Sequence, residues 1–280
     1  MRISRRRFLR WTLVGIGAVG TGGVGGPVYA ALIEPRWLAL ERVAIDLPGL
    51  SARLDGLRIG LLSDLHRGVH VPQEWVGRAV GMLRSESPDL ILLTGDYVTG
   101  SADFAVSCAE ELGRLSAPHG VYACLGNHDH WTDAERVTDT LEGAGVRVLR
   151  NRATEPVDGL WVAGVDDVWE QKADLQAALA EVPSSATVIL LAHEPDFADE
   201  VVADGRVALQ LSGHTHGGQV RLPIIGPPFL PYLGRKYPIG LYRIGPMWLY
   251  VSRGVGLIAP PVRFLCRPEV TVLELRSAPL

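Results

Sequence analysis

Lysine is almost missing from this chain: Lys172 and Lys236 stand beside 25 arginines, a bias from which no mechanism follows. Cysteine is also scarce. Cys108, Cys124 and Cys266 have no CxxC spacing, which excludes a zinc knuckle or a disulfide framework and leaves three buried thiols acting as small hydrophobes. No repeat or low-complexity segment follows residue 30, so one domain is expected over residues 40–280. An HxHxDH run, the mark of binuclear amide and lactam hydrolases, is absent. Acidic residues are absent from residues 1–30, which carry Arg2, Arg5, Arg6, Arg7 and Arg10. Without those thirty residues the chain has 22 basic against 31 acidic residues, a net of −9. An acidic body lacks the basic stripe that a nucleic acid requires, so no nucleic-acid partner is expected. What is present, 47% hydrophobic and 21% charged residues, describes a folded globular protein.

The first segment reads as an export signal. Ser4–Arg10 resembles a twin-arginine translocation signal, and Trp11–Ile33 is 23 residues without a charge, seven of them glycine. That run is long enough to span a bilayer but only mildly apolar. Val28-Tyr29-Ala30 fits a small-residue cleavage site. Residues 1–33 are therefore expected to be a twin-arginine signal peptide or an N-terminal membrane anchor. The translocase would be a partner during export, and the protein would work in the cell envelope outside the cytoplasm. The twin-arginine route carries folded proteins, which suits a metal centre loaded beforehand.

After a linker near Glu34–Trp37, short apolar runs end repeatedly in ligand-capable residues. Leu57–Ser63 leads to Asp64-Leu65-His66, Leu90–Leu93 to Gly95-Asp96, and Val121–Leu125 to Gly126-Asn127-His128-Asp129. Helical periodicity over residues 73–84 and 102–115 separates these strands, so βαβ units and a largely parallel sheet are expected. The second half is strand-rich, with candidates at 146–149, 160–165, 187–191, 207–211, 248–251 and 270–275 and a helix near 172–181. Its motifs, His193 and the pair His214/His216 within LSGHTHGGQ, also close strands. In open α/β sheets, sites form beyond the carboxyl ends of the strands.

Seven such groups, Asp64, His66, Asp96, Asn127, His193, His214 and His216, exceed one tetrahedral site and suit two ions sharing a carboxylate. Mixed imidazole and carboxylate donors suit Mn, Fe, Co or Zn. Two such ions clamp the oxygens of an in-line phosphoryl displacement and supply hydroxide near neutral pH. They also offset the charge of a phosphoester substrate, which an acidic protein would repel.

The ordered set D-x-H, G-D, G-N-H-D, H and G-H-T-H resembles the calcineurin-like metallophosphoesterases. The resemblance implies an α/β fold, a four-layer α/β/β/α sandwich with a dimetal site at the strand ends. It implies Asp64, His66 and His216 on one ion, Asn127, His193 and His214 on the other, and Asp96 bridging. It further implies His128 as general acid, with Asp129 orienting its imidazole. Gly213–Pro223 and Ser252–Pro268 resemble a subgroup of bacterial, twin-arginine-exported cell-envelope phosphodiesterases. A phosphodiesterase is the expected activity. The alternative is a pyrophosphatase of a nucleotide-linked lipid precursor such as UDP-2,3-diacylglucosamine, the chemistry of some relatives. A non-catalytic scaffold would show eroded ligands, and none is missing here.

Arg67, Arg221 and Arg253 are candidates for phosphate contact, because guanidinium forks match phosphate oxygens. His70 and His130 lie within four residues of site motifs and read as solvated loop residues or, as the alternative, substrate contacts, and His119 as a turn residue. The proline-rich stretch Pro223–Gly240 reads as a substrate rim, a membrane- or cell-wall-facing loop, or a rigid loop packed on its own domain. A monomer is expected.

Overall fold

The computed structural model describes residues 25–278. Two six-stranded mixed sheets hold the chain. The first has the order β1-β12-β2-β3-β4-β5: β1 (Ala39–Pro48), β2 (Arg58–Leu62), β3 (Leu90–Thr94), β4 (Val121–Cys124), β5 (Arg147–Val148) and the returning β12 (Glu269–Ala278). The second has the order β10-β11-β9-β8-β7-β6: β6 (Arg152–Val157), β7 (Leu160–Gly164), β8 (Thr187–Leu191), β9 (Leu209–Ser212), β10 (Gly240–Ile244) and β11 (Met247–Val251). Strands β2 to β5 are parallel, as are β7, β8, β9 and β11.

The central strands are buried because both faces are covered, which their near-continuous apolar runs allow. On β3, Leu90 and Leu92 face the second sheet, packing with Ile189, Leu191, Leu209 and Leu211, while Ile91 and Leu93 face the helices. Helix α1 (Gln73–Ser85) buries Val76, Ala79, Val80 and Leu83, and α2 (Phe104–Leu112) buries Ala105, Cys108, Ala109 and Leu112. Each set is spaced i, i+3, i+4, i+7, the stripe that lays one helix face on a sheet. After α3 (Asn127–Thr132), helix α4 (Ala134–Gly143) joins them through Val137 and Leu141. Helices α5 (Leu175–Ala178) and α6 (Ala198–Asp204) cover the outer face of the second sheet, where Leu175, Ala178 and Val201 meet Ala163 and Leu190. Three apolar layers between four structural layers make the expected α/β/β/α sandwich, and the three cysteines are free, buried thiols.

Three strands and three helices are absent from the sequence reading: β1, β6, β10, α3, α4 and α6. The three strands are outermost or next to turns, and their mixed polar pattern reflects exposure on one side. The stretch near Glu34–Trp37 is not a free linker. Glu34 is buried, and its carboxylate accepts from the amides of Leu265 (3.0 Å) and Cys266 (2.5 Å). The Ala30 carbonyl accepts from Arg263 N, and the Tyr29 ring packs edge-on against Phe264. The twin-arginine motif at Arg5-Arg6 lies outside the described residues. Among the described residues, no helix is long and apolar enough to cross a membrane.

Candidate metal centre

Every ligand-type residue singled out in the sequence sits where a strand ends. Asp64 and His66 follow β2, Asp96 follows β3, Asn127 opens α3 after β4, His193 follows β8, and His214 and His216 follow β9. The two sheets face each other, so these strand ends converge. Donor atoms of Asp64, His66 and His216 lie within 4.8 Å of one another, as do those of Asp64, Asp96 and His193, and those of His66, Asp96 and His128. Asp96 Oδ2 is 3.4 Å from His66 Nε2 and 3.1 Å from His193 Nε2, between the two histidine sets. His214 Nδ1 is 3.1 Å from Asn127 Oδ1.

The backbone is strained to achieve this. Asp64, His66, Asp96, His214 and His216 all have positive φ, between 47° and 70°, a region costly for residues with a Cβ. Two glycines permit the close approach. A Cβ on Gly213 would lie 1.9 Å from Ser63 Oγ and 2.3 Å from Asp64 Oδ2, and one on Gly126 would lie 2.4 Å from Asp96 Oδ1. The strained turns and the bare glycines place the donors closer than an ordinary core would tolerate.

Each imidazole is fixed through its far nitrogen. His193 Nδ1 donates to the Thr94 carbonyl (2.6 Å), His214 Nε2 donates to the Tyr232 carbonyl (2.7 Å), and His66 Nδ1 bonds Thr99 Oγ1 (2.6 Å). This leaves His193 Nε2, His214 Nδ1 and His66 Nε2 turned towards the cluster, the outer-shell arrangement that orients metal-binding histidines. His66 Nε2 meets His216 Nε2 at 2.8 Å. Behind His216 lies Arg263, fully buried, whose guanidinium donates to the carbonyls of Gly256, Cys266, Arg253 and Gly254 and comes within 3.3 Å of His216 Nδ1.

The charges are those of a cation site. Burial pushes His66 and His214 down to about 3, and burial, with His66 and Arg263 nearby, holds His216 well below its ordinary value; the three rings are neutral. Burial pushes Asp64 up to about 6. Burial opposes charge on Asp96, yet His193 and then His66 outweigh it and hold the carboxyl well below the usual range. Burial likewise opposes charge on His193, but Asp96 and Asp64 hold it well above its ordinary value, which shows how strongly this spot favours positive charge. Asp64 Oδ2 and His193 Nε2 are buried with no hydrogen-bond partner. A buried carboxylate oxygen without a partner, and an imidazole nitrogen whose polar neighbour is the Asp96 carboxylate at 3.1 Å, fit divalent metal ions held between these groups and the neutral rings.

Not every expected role survives. Asp129 does not touch the His128 ring. Its carboxylate accepts from the amides of Asp96 (2.9 Å), Tyr97 (2.8 Å), Val98 (3.3 Å) and Gly126 (3.0 Å), clamping the turn after β3 to the start of α3. All its acceptor capacity is spent on backbone, so it positions Asp96 and does not orient His128. The His128 ring stands edge-on to His66 and beside Trp131, both at 4.7 Å, with its backbone N–H on Asp96 Oδ1. It lines a cavity of about 220 Å³ with Asp96, Asn127, His214 and His216.

The three arginines are occupied elsewhere. Arg67 donates to Ser107 Oγ and to the carbonyls of Gly68 and Val71, with its guanidinium over Phe104. Arg253 is paired with Glu269 and Glu41. Arg221 donates to the Gly217 carbonyl. Ion pairs and carbonyls took these guanidinia, so Arg67 and Arg253 are not free phosphate forks. His130 is held by Asp166 (2.7 Å) and Lys172 (3.2 Å), His70 is exposed, and His119 sits in the turn before β4. Residues given no individual role in the sequence join the site: Arg263 of the stretch Ser252–Pro268, and an aromatic wall of Trp131, Trp169 and Tyr232, the last in Pro223–Gly240, with Trp169 5.6 Å from His214. Val168 N and Trp169 N donate to buried Glu194, which sets that wall. The sequence marked two of these stretches but not which side chain in each meets the site, because loops far apart in sequence bring them together.

Known proteins resemble this chain in sequence and fold. The family model described as "Calcineurin-like phosphoesterase" matches residues 57–218. The chain is 37% identical to "Phosphodiesterase YaeI" of Escherichia coli (strain K12), over 98% of this chain and 99% of that protein. It is 35% identical to "Uncharacterized metallophosphoesterase YkuE" of Bacillus subtilis (strain 168), over 99% of both. A crystal structure of TT1561 of Thermus thermophilus shares the fold, with a TM-score of 0.50 at 15% identity, covering 71% of this chain and 90% of that one.

Proposed function

We propose that this chain, which belongs to the calcineurin-like phosphoesterase family and is a metal-dependent phosphoester hydrolase, cleaves phosphodiesters in the cell envelope. Asp64, His66 and His216 would hold one divalent ion, Asn127, His193 and His214 the second, with Asp96 shared. The observation that carries this is the buried convergence of Asp64, Asp96 and His193, whose donor atoms lie within 4.8 Å of one another while Asp64 Oδ2 and His193 Nε2 lack a formed hydrogen bond. Bound Mn, Fe, Zn or Co ions polarise a phosphoryl oxygen and acidify coordinated water towards neutrality.

The chain's own groups do the rest. Thr94, Thr99 and Tyr232 fix the rings of His193, His66 and His214, so the donors need no reorganisation. His128 lines the cavity with its imidazole free of hydrogen bonds to side chains, placed to give a proton to the departing ester oxygen. Export by the twin-arginine route is supported by Arg5 and Arg6 ahead of an uncharged run, and such export would deliver the enzyme to the envelope, as a monomer. Diester preference is supported by the name of the Escherichia coli relative. A second reading, pyrophosphate cleavage in a nucleotide-linked lipid such as UDP-2,3-diacylglucosamine, is supported by Trp131, half exposed at the cavity, which offers a face for a planar base.

The test is hydrolysis by Mn-loaded full-length protein of bis(p-nitrophenyl) phosphate, p-nitrophenyl phosphate and UDP-2,3-diacylglucosamine. Diester cleavage at least tenfold faster than the others is expected. Preference for the pyrophosphate would replace the diesterase reading with the second one.

A further inference from the structure

We propose that a groove beside the metal cluster seats a hydrocarbon arm of the substrate, an inference that rests on the phosphodiesterase reading above. The groove, of about 330 Å³, is walled by Val220, Phe229, Leu230, Pro231, Ile258 and Pro260. It shares His216, Pro231 and Ile258 with the cavity over the cluster. Because the two spaces are lined by the same three residues, the groove lies next to the cluster, and on this proposal its occupant is the group esterified to the phosphorus there.

The wall chemistry selects that group. Apart from His216, none of the lining side chains is ionisable. The polar ones are already satisfied. Thr215 Oγ1 donates to the Pro238 carbonyl and accepts from Gly217 N. The Gln219 amide donates to the carbonyls of Ile258 and Pro260 and accepts from Ile258 N. A sugar or peptide arm would bury polar groups without partners here, whereas an alkyl chain loses nothing and buries apolar area.

The surroundings point the same way. Ile224 is fully exposed, and Ile225 and Phe229 are 76% and 84% exposed. Val220, in the groove wall, is bridged to Phe264, on which Tyr29 packs. The helical segment 25–33 therefore joins the domain here, with Val28, Leu32 and Ile33 exposed, and it ends the uncharged run Trp11–Ile33. Two apolar edges flank the groove, where an alkyl arm drawn from a lipid layer would enter.

The experiment uses metal-loaded full-length enzyme and p-nitrophenyl phosphodiesters whose second ester is ethyl, octyl or dodecyl, below micellar concentrations. Calorimetric binding of ethyl- and dodecylphosphonate accompanies it. Each methylene seated should tighten binding about fourfold until the groove is filled. The gain should appear in KM and phosphonate affinity and be lost in Phe229→Ser with Leu230→Ser. Phe229→Ser alone, at an exposed position, should reduce it if the double variant does not fold. A flat series in an enzyme that cleaves the ethyl ester would overturn the groove and leave the diesterase reading intact. No cleavage of any ester would overturn that reading, while phosphonate binding would still judge the groove. An undiminished gain in folded groove variants would place the chain elsewhere and overturn the proposal.

Discussion

At the residue scale, adjacent positions in G-N-H-D do different work. Asn127 and His128 face the cavity, whereas Asp129 faces the backbone and accepts four amides. Removing each side chain should separate the roles. Asp129→Ala leaves four buried donors unpaired, at about 1–3 kcal/mol each, so urea unfolding should show a loss of several kcal/mol. Aryl and alkyl esters should then be hydrolysed more slowly alike. His128→Ala should unfold near the wild-type midpoint and keep its metal, but lose about 10²-fold or more on alkyl esters and far less on p-nitrophenyl esters. Equal losses on both ester classes would remove the general-acid role. The motif letters identified which residues matter, but not that Asp129 turns inward; that follows from the fold of the β3 turn over α3.

At the element scale, strand ends were legible because buried parallel strands are unbroken apolar runs, and the residue after each run is conspicuous when it is Asp or His. Edge strands were not legible. β1 alternates buried and exposed residues along one side of the sheet, and its parallel partner β12 lies more than 200 residues away. Nothing local announces that pairing. The same distance hid the clip at Glu34, which fixes the segment carrying Arg263 behind His216. Glu34→Ala should cost roughly 1–3 kcal/mol by leaving the Leu265 and Cys266 amides unpaired, and should also weaken metal affinity. Melting curves with and without Mn check this: unchanged melting, or an equal response to metal, would mean the clip does not act on the centre. Arg253 stood out as a phosphate candidate because a sequence shows the guanidinium but not the carboxylates Glu41 and Glu269 that meet it.

At the scale of the whole molecule, the two sheets contribute to one centre from halves of the chain that look unrelated. The first sheet brings Asp64, His66, Asp96 and Asn127, and the second brings His193, His214 and His216. Either half alone lacks a complete donor set, so metal binding should couple the two and raise stability by mass action. The proposed twin-arginine export would carry such an assembled, metal-loaded domain. Arg5→Lys with Arg6→Lys should hold active enzyme in the cytoplasm, as fractionation with activity assays would show; normal export of that variant would contradict the route. The pair His214/His216 gives the most direct test of the centre, because one residue between them serves two ions only if Asp96 joins those ions. Metal content per chain, measured on Mn-reconstituted full-length protein with and without Asp96→Ala, decides it. Two ions per chain in the unaltered protein and almost none in the folded variant are expected, whereas fewer than one ion in the former, or one ion kept tightly in the latter, would contradict a shared dimetal centre.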